Sequence, residues 1–382
     1  MAITVESPGP DASGQRSSVP HTSPEMGVVA ALYTTPETVI EDYGRLLKLA
    51  NYRDALAPGT QTLLKINLSW QHYYPACSTP PWQIDGVIKQ LQADGYDDLM
   101  AAHNGTVVVD PFEGEISNKH KVVEEKHGVP SITLDVPPNR WVPYTPEGEM
   151  LVLNDVYPDG LFIPETFAGK NIIHFPTVKT HVFTQMTGAM KNAFGGLLHR
   201  NRHWTHAVIH ETLVDLLTIQ KEIHPGIFAV MDGTFAGDGP GPRAMQWHEK
   251  NVILASADQV AIDAMAAKMM GFDPMSLPMI RLAHERGLGV GEPSEIKIVG
   301  DDISGVNWHF SGNKSTFASR GQRLIYHGPL KPLERILLRS FVAPWAYFAS
   351  NVYHNSFWLR FIGRKRVKAA MQTGWGRLFQ SY

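Results

Sequence analysis

Short apolar segments alternate with longer amphipathic segments through the first 300 residues of the chain. The apolar segments contain mostly Val, Ile, Leu and Ala, which is typical of buried strands. The amphipathic segments repeat their apolar positions with helical spacing. The pattern predicts strands over residues 28–33, 62–68, 98–102, 172–175, 227–231, 251–255 and 295–299, and helices over residues 35–49, 82–93, 205–223 and 257–271.

This order of strands and helices predicts an α/β fold with a mostly parallel sheet flanked by helices. In such sheets, ligands bind at the carboxyl ends of the strands. Lys65, Asn67 and His103 end or follow two of the predicted strands. Lys179 and His181 follow the strand that stops at Pro176. We therefore expect these side chains at one edge of the sheet.

The chain divides into three predicted parts. Residues 1–26 are rich in Ser, Pro and Gly and lack the apolar run of a secretion signal, which predicts a disordered lead. Residues 27–310 form the predicted α/β domain, and fading periodicity over 136–167 indicates an excursion or cap. Residues 331–382 are predicted to form a helical arm. No run of eighteen apolar residues occurs, so no membrane-spanning helix is predicted.

The residues best suited to chemistry are concentrated between residues 172 and 210. In extended backbone Lys179 and His181 face the same way, and they supply a positive charge for an anion and a proton acceptor near neutral pH. Thr187 to Asn192 suits an anion-binding helix start, with backbone amides and the Lys191 ammonium around the charge. Solvated loop residues are the alternative. The stretch also contains His199, Arg202, His203, His206 and His210.

His206 and His210 are four residues apart on a predicted helix, which puts two metal ligands on one face. His181, Asp232 or Asp238 would complete such a site, and the candidate metal ligands are therefore His206, His210 and Asp232. A core histidine with a satisfied hydrogen bond is the alternative, because no zinc-protease motif surrounds the pair.

Two further features have two explanations each. The loop from Gly237 to Pro242 suits close approach of its backbone to a ligand, which makes Gly239 a candidate, but a tight Gly/Pro turn explains it equally well. Asp263 could orient a histidine or a lysine, or it could cap a backbone amide.

Composition narrows the classes of function. The 382 residues carry a formal net charge of −3, which argues against nucleic-acid binding by the chain as a whole. Cys77 is the one cysteine, so this chain alone builds no disulfide and no cysteine-ligated iron–sulfur cluster. The cofactor prediction is therefore limited to a possible divalent metal, and a cytoplasmic location fits.

The C-terminal arm differs in charge from the rest of the chain. Residues 331–382 contain nine Lys or Arg and one acidic residue, with eleven aromatic residues among them. Basic residues beside Trp and Phe suit an interfacial helix on anionic lipid, so a peripheral membrane contact is predicted. Packing of the aromatic residues against the acidic body is the alternative.

Several short motifs occur together in the order in which one family has them. They are Lys65-Ile66-Asn67, Lys179-Thr180-His181, Thr187-Gly188 with Lys191-Asn192 and Gly195, His206, Asp232-Gly233 with Gly239-Pro240, and Asp258 with Ala261-Ile262-Asp263. Over about residues 60–300 the chain thus resembles the uncharacterised family catalogued as domain of unknown function 362. Many members carry a ferredoxin-like cysteine module. This chain lacks it, so a cluster would come from a partner protein. The resemblance implies a fold and a site but no reaction.

The function that we predict is an enzyme that binds a small or amphiphilic anionic substrate and uses Lys and His in acid–base chemistry. Isomerase, lyase and metal-assisted redox reactions all remain open. One alternative is a metal- or cofactor-binding accessory protein with an iron–sulfur redox partner, and another is a peripheral membrane scaffold. The predicted catalytic residues are His181, His206 and Lys179, and the predicted substrate-binding residues are Lys65, Asn67, His103, Thr187, Lys191, Asn192 and Gly239.

Overall fold

The computed structural model describes residues 24–105, 109–198, 202–312 and 352–382. Their strands are β1 Val28–Tyr33, β2 Thr62–Ile66, β3 Leu99–His103, β4 Ser131–Thr133, β5 Trp141–Tyr144, β6 Leu161–Pro164, β7 Asn171–Phe175, β8 Thr177–His181, β9 Gln185–Met186, β10 Ile227–Asp238, β11 Gln246–Ser256 and β12 Lys297–Gly300.

The helices of these residues are mostly short. The α-helices are α1 Val39–Leu49, α2 Tyr52–Ala55, α3 Pro81–Ala93, α4 Pro111–Ser117, α5 His120–His127, α6 Leu153–Val156, α7 Gly188–Asn192, α8 Phe194–Leu197, α9 Ile209–Ile223, α10 Gln259–Met270, α11 Pro278–Glu285, α12 Arg364–Ala370 and α13 Gly374–Ser381. A π-type helix covers Val352–Gly363, and 3₁₀ helices cover Glu165–Phe167, Arg202–Val208, Pro274–Ser276 and Pro293–Glu295.

Ten of the described strands form one mixed sheet. Its main order is β12-β1-β11-β10-β7-β2-β3-β4, and β8 and β9 pair beside β10. The strands from β10 to β4 are parallel neighbours, whereas β11 runs antiparallel to both β1 and β10. A separate antiparallel hairpin, β5–β6, lies within the stretch expected as an excursion. The predicted α/β fold with a mostly parallel sheet is confirmed.

Helices cover both faces of this sheet. Because successive side chains of a strand point to opposite faces, Ala31 of β1 enters one core and Ala30 enters the other. The first core is closed by α7, α9, α10 and α11. The second core is closed by α1, α3, α5 and the C-terminal helices. The strands are therefore buried on both sides, which explains their continuous apolar runs.

Three predicted helix starts were wrong. The first helix begins at Val39 instead of residue 35, because the Thr35 carbonyl accepts the N–H groups of Thr38 and Val39 in a turn. Residues 202–208 form a 3₁₀ helix, so α9 begins at Ile209 instead of residue 205. α10 begins at Gln259 instead of residue 257, with Asp258 as its N-cap.

The described part of the C-terminal arm packs against the second core. The Trp375 indole donates to Asn251 Oδ1 at 2.8 Å, Phe379 stacks on Tyr73, and the Tyr382 hydroxyl donates to an Asp85 carboxylate oxygen at 2.9 Å. Residues 331–351 of the predicted arm and residues 1–23 of the predicted lead lie outside the described residues. The division into three parts stays a prediction. No described helix is long and apolar enough to span a bilayer.

Candidate functional site

Pro176 changes the strand pairing at the centre of the sheet. Before it, β7 lies between β2 and β10, and after it β8 pairs with β10 and β9. β2 ends at Ile66, opposite Phe175, so β2 and β8 are not paired beyond this point. Lys65 of β2 and Lys179 of β8 therefore come from two strands on either side of this division.

Two more cations come from the segments that follow β8. Lys191 lies on α7, and Arg202 begins the 3₁₀ helix before α9. Besides burial, the positive charge of Arg202 lowers the pKa of Lys65, and the charges of Lys179 and Arg202 lower the pKa of Lys191. These side chains are therefore close enough to repel one another. We call Lys65, Lys179, Lys191 and Arg202 the cationic cluster.

Lys65 is buried, and no carboxylate of the described residues is hydrogen-bonded to its ammonium. Its side chain is 2% exposed, and Nζ donates to the Ile66 carbonyl at 3.0 Å and to Asn104 Oδ1 at 3.4 Å. Burial lowers the pKa of Lys65 to about 7, with a further contribution from the Arg202 charge. The charge on this lysine therefore responds to small changes in its surroundings.

Lys179 is enclosed by neutral oxygen atoms. Its Nζ donates to the Cys77 carbonyl at 2.5 Å, to Thr177 Oγ1 at 3.0 Å and to Ser69 Oγ at 3.4 Å. Asn67 Nδ2 also donates to the Cys77 carbonyl, so Asn67 lies beside this ammonium. The Lys179 side chain is fully buried, and burial lowers its pKa to about 8.

Lys191 and Arg202 complete the cluster. Lys191 is half-buried, with Nζ 5.1 Å from the centre of the Phe194 ring, and burial lowers its pKa to about 7. Arg202 donates to the Gly105 carbonyl at 2.7 Å and lies 3.9 Å from an Asp135 carboxylate oxygen. Asp135 is the carboxylate among the described residues whose charge acts on this cluster.

His181, at the end of β8, has a defined tautomer. The backbone N–H groups of Phe183 and Thr184 point at its Nδ1, at 3.2 and 3.4 Å. A nitrogen that accepts N–H groups carries no proton, so the neutral ring has its proton on Nε2. Burial lowers the pKa of His181 well below its usual value, and the Lys191 charge adds to this effect. His181 is therefore a neutral ring with its N–H donor at Nε2, and its predicted part in acid–base chemistry stays a prediction.

His206 has the opposite tautomer. Its Nδ1 lies 2.9 Å from the His203 carbonyl, which can only accept, so Nδ1 holds the proton and Nε2 keeps its lone pair. Burial lowers the pKa of His206 to about 4. The Phe183 ring lies 5.9 Å from the His181 ring and 5.2 Å from the His206 ring. The two imidazole rings thus both contact the same aromatic ring.

The predicted metal set of His206, His210 and Asp232 is not assembled. Asp232 accepts hydrogen bonds from Tyr43 and Trp82, whose side chains lie in the core of α1 and α3. His206 packs on Phe194 and Phe183, on the opposite face of the sheet. No group of three His, Cys, Asp or Glu within the described ranges is placed to hold a metal ion.

The helix start that was expected to hold an anion is already occupied. The Asp263 carboxylate accepts the N–H groups of Ala189 and Met190, at 2.5 and 3.0 Å. Gly188 has a φ of +78°, and a Cβ there would overlap that carboxylate. Burial raises the pKa of Asp263 to about 8. Of the two explanations for Asp263, the structure supports the backbone cap.

Four other predicted substrate-binding residues have structural partners. The His103 imidazole is hydrogen-bonded to the Glu115 carboxylate, and the Thr187 N–H donates to the Lys179 carbonyl. Asn192 Nδ2 donates to the Lys65 carbonyl at 2.8 Å and thereby fixes the backbone of that lysine. The Gly239 carbonyl accepts the Thr180 hydroxyl at 2.8 Å, so a tight turn packed on β8 explains this loop. His199 lies outside the described residues.

Two residues of the site, Ser69 and Arg243, were missed in the sequence. Ser69 bridges Asn67 and Lys179, and Arg243 donates to the Ser69 carbonyl at 3.0 Å. Nothing in the local pattern points to either residue. Asn104, which contacts Lys65, directly follows β3, at the strand ends where ligand-binding residues were expected.

The chain is thus an α/β protein with a buried cationic cluster and two histidines at the carboxyl ends of its parallel strands. It belongs to the family of the domain of unknown function DUF362, whose sequence model matches residues 62–268. A thylakoid-associated protein of Synechocystis sp. (strain ATCC 27184 / PCC 6803 / Kazusa) is 25% identical over 243 residues, which are 60% of this chain and 69% of that protein. A crystal structure of a Thermotoga maritima protein matches with a TM-score of 0.34 and 14% identity, over 57% of this chain and 56% of that one.

Proposed function

We propose that this protein is an enzyme that binds a small anion with at least two negative charges at the cationic cluster and catalyses proton transfer on it. The observation that carries the proposal is the charge imbalance of the cluster. Lys65, Lys179 and Lys191 hydrogen-bond to neutral groups or contact an aromatic ring, and none has a carboxylate partner among the described residues. Burying an unpaired ammonium is costly, and an anionic ligand would supply the missing charge.

The two histidines provide the proposed proton transfer. We propose that His206 accepts a proton from the substrate and that the His181 Nε2–H donates a hydrogen bond to the oxygen on which negative charge develops. A bound anion would raise the pKa of His206, because the cations that now help to lower it would be neutralised. This chemistry is that of an isomerase or a lyase.

The name of the Synechocystis relative supports a second, less specific proposal, which concerns location. Its name associates that protein with thylakoids, and we extend to this chain the proposal that it works beside a membrane.

Sulfate titration by calorimetry tests the anion site. We expect one sulfate per chain, and we expect Lys191→Met to weaken binding by about tenfold or more, as for a lost hydrogen bond to a charged group. Lys250→Met is the matched control, because Lys250 also lies over aromatic rings, those of Trp308 and Phe310, but outside the cluster. Equal binding by Lys191→Met and the wild type would rule out the cluster as the site.

Hydrogen–deuterium exchange at carbon tests the chemistry. A panel of sugar phosphates and hydroxy dicarboxylic acids is incubated with the protein in D2O and followed by proton NMR. We expect exchange with at least one compound and its loss in His206→Gln, while that variant still binds sulfate. Sulfate binding with no exchange on any compound would favour a binding or accessory protein over an enzyme.

A further inference from the structure

The π-type helix Val352–Gly363 has one face held firmly on the body of the protein. Trp358 is buried, and its ring lies 6.2 Å from the Trp70 ring and 5.3 Å from the Tyr74 ring. The Trp70 indole donates to Asn355 Oδ1 at 2.7 Å. The Arg366 guanidinium packs over Trp358 at 5.8 Å. These contacts fix which side chains the helix presents outward.

The outward side chains are large and apolar. Phe357 is 54% exposed, Phe361 is 56% exposed and Ile362 is 38% exposed. The Phe357 ring lies 6.3 Å from the Tyr353 ring and 5.3 Å from the Phe361 ring, so the aromatic side chains form one continuous row. Exposed apolar side chains that cluster in this way mark an interaction surface.

Positive charge lies along the same segment. Residues 352–382 contain six Lys or Arg and no Asp or Glu. Four of these cations are exposed next to the aromatic row, namely Arg360, Arg364, Lys365 and Lys368. Aromatic side chains beside exposed cations, with no acidic residue between them, are complementary to the interface of an anionic bilayer.

We propose that Phe357, Phe361 and Ile362, together with these four cations, form a docking surface for an anionic lipid bilayer. The rings enter the interfacial region and the cations contact lipid headgroups. A second copy of the chain is a poorer occupant, because a two-fold contact would place this cationic segment against itself. The proposal rests on the C-terminal segment and is independent of the anion site.

Co-sedimentation of the full chain with vesicles tests this proposal. Phosphatidylcholine vesicles with 30% phosphatidylglycerol are compared with pure phosphatidylcholine vesicles. We expect binding to the anionic vesicles, and a loss of about 25-fold in the partition coefficient for Arg364→Gln/Lys365→Gln, at about fivefold for each cation. We expect Phe357→Ser/Phe361→Ser to lose about tenfold. All these positions are exposed, so the melting temperatures should stay close to that of the wild type.

Matched controls change exposed residues elsewhere. Phe162→Ser removes an exposed ring from β6, and Lys48→Gln/Lys297→Gln removes two exposed cations from α1 and β12. Both controls should bind vesicles like the wild type. Equal losses in the controls, or no vesicle binding by the wild type, would overturn the proposal. A dimer in sedimentation velocity that Phe357→Ser/Phe361→Ser dissociates would also overturn it in favour of self-association. Sulfate binding, measured separately, should be unchanged in every variant.

Discussion

Buried acidic side chains and buried lysines both lie within this fold, and they differ in the partners that their polar atoms have. Asp258 accepts four backbone N–H groups, from Gly27, Val260, Ala261 and Val290, at 2.9 to 3.0 Å. Asp263 accepts two backbone N–H groups at the start of α7. These carboxylates join segments that are far apart in the chain. Their hydrogen bonds are complete, so their role is structural.

The cations differ in that their hydrogen-bond acceptors are neutral oxygens, which do not balance the positive charge. Lys65 and Lys179 donate to carbonyl, amide and hydroxyl oxygens, and burial lowers the pKa of each. Sequence motifs of this family contain both kinds of residue and do not distinguish them. In this fold the acids hold distant segments together, whereas the cations are the residues that we propose to bind a ligand.

Replacing a buried acid should have the largest effect on the free energy of unfolding. Asp258→Ala leaves four N–H groups without an acceptor, and at about 1 kcal/mol or more for each it should lower the free energy of unfolding by about 4 kcal/mol or more. Asp258→Asn keeps one acceptor oxygen and should lose about half as much. Urea unfolding followed by circular dichroism measures both.

The matched control for Asp258 is an acid at the surface. Asp302 is exposed and accepts the Ser304 N–H at 2.8 Å, so Asp302→Ala should destabilise the protein far less than Asp258→Ala. If Asp258→Ala were no more destabilising than Asp302→Ala, the structural role of the buried acids would be refuted.

Removing a buried cation should affect stability less and binding more. Lys65→Met replaces an ammonium without a carboxylate partner by an apolar side chain of similar length, so the free energy of unfolding at pH 7 should stay the same or rise by about 1 kcal/mol. Sulfate affinity should fall by about tenfold or more. Calorimetry and urea unfolding measure the two effects.

A neighbouring position shows whether β2 itself tolerates change. Leu64→Ala, on the same strand, should cost about 2 to 5 kcal/mol through loss of core packing. A Lys65→Met variant as unstable as Leu64→Ala would mean that the lysine is itself structural, and the contrast between acids and cations would fail.

Most of the sheet could be predicted from the sequence, because its strands are buried on both faces and read as apolar runs. β1 lies where it was expected, and β2, β3 and β12 differ at their ends by a few residues. β8 was missed as a strand because Thr177, Lys179 and His181 are polar. Its regular backbone depends on pairing with β10, which is distant in sequence.

The candidate site could be predicted in part. Proximity of Lys179, His181 and Lys191 followed from their spacing, and Lys65 followed from its position near a strand end. The partners of Asp232 and Asp263 could not be predicted, because Tyr43, Trp82 and Ala189 are brought to them by packing between elements. The tautomers of His181 and His206 also depend on the backbone groups of the folded chain.

The pH dependence of the stability of the unliganded protein tests the charge state of the buried lysines. The pKa of Lys65 and of Lys191 is about 7 in the folded state, below the value near 10.5 of an unfolded lysine. Between these values the unfolded chain binds more protons, so stability rises with pH. The raised pKa of Asp263, about 8, acts in the opposite direction below pH 8. At about 1.4 kcal/mol per pH unit for each of the two lysines, we therefore expect the free energy of unfolding to rise by about 3 to 4 kcal/mol from pH 8 to pH 9.5.

Saturating sulfate should remove most of that slope, because its charge is constant over this range and its binding needs protonated lysines. Affinity should be highest below pH 7 and should fall by up to tenfold per pH unit for each lysine that must gain a proton. The double variant Lys65→Met/Lys191→Met should show a weaker pH dependence of both stability and sulfate affinity. This variant is also the control for the general stabilisation of proteins by sulfate. Urea unfolding at pH 8 and 9.5, with sulfate or with sodium chloride of equal ionic strength, measures this. A stability of the free wild type that falls with pH would show that these lysines keep their charge in the folded protein, and that the cluster is already neutralised without a ligand.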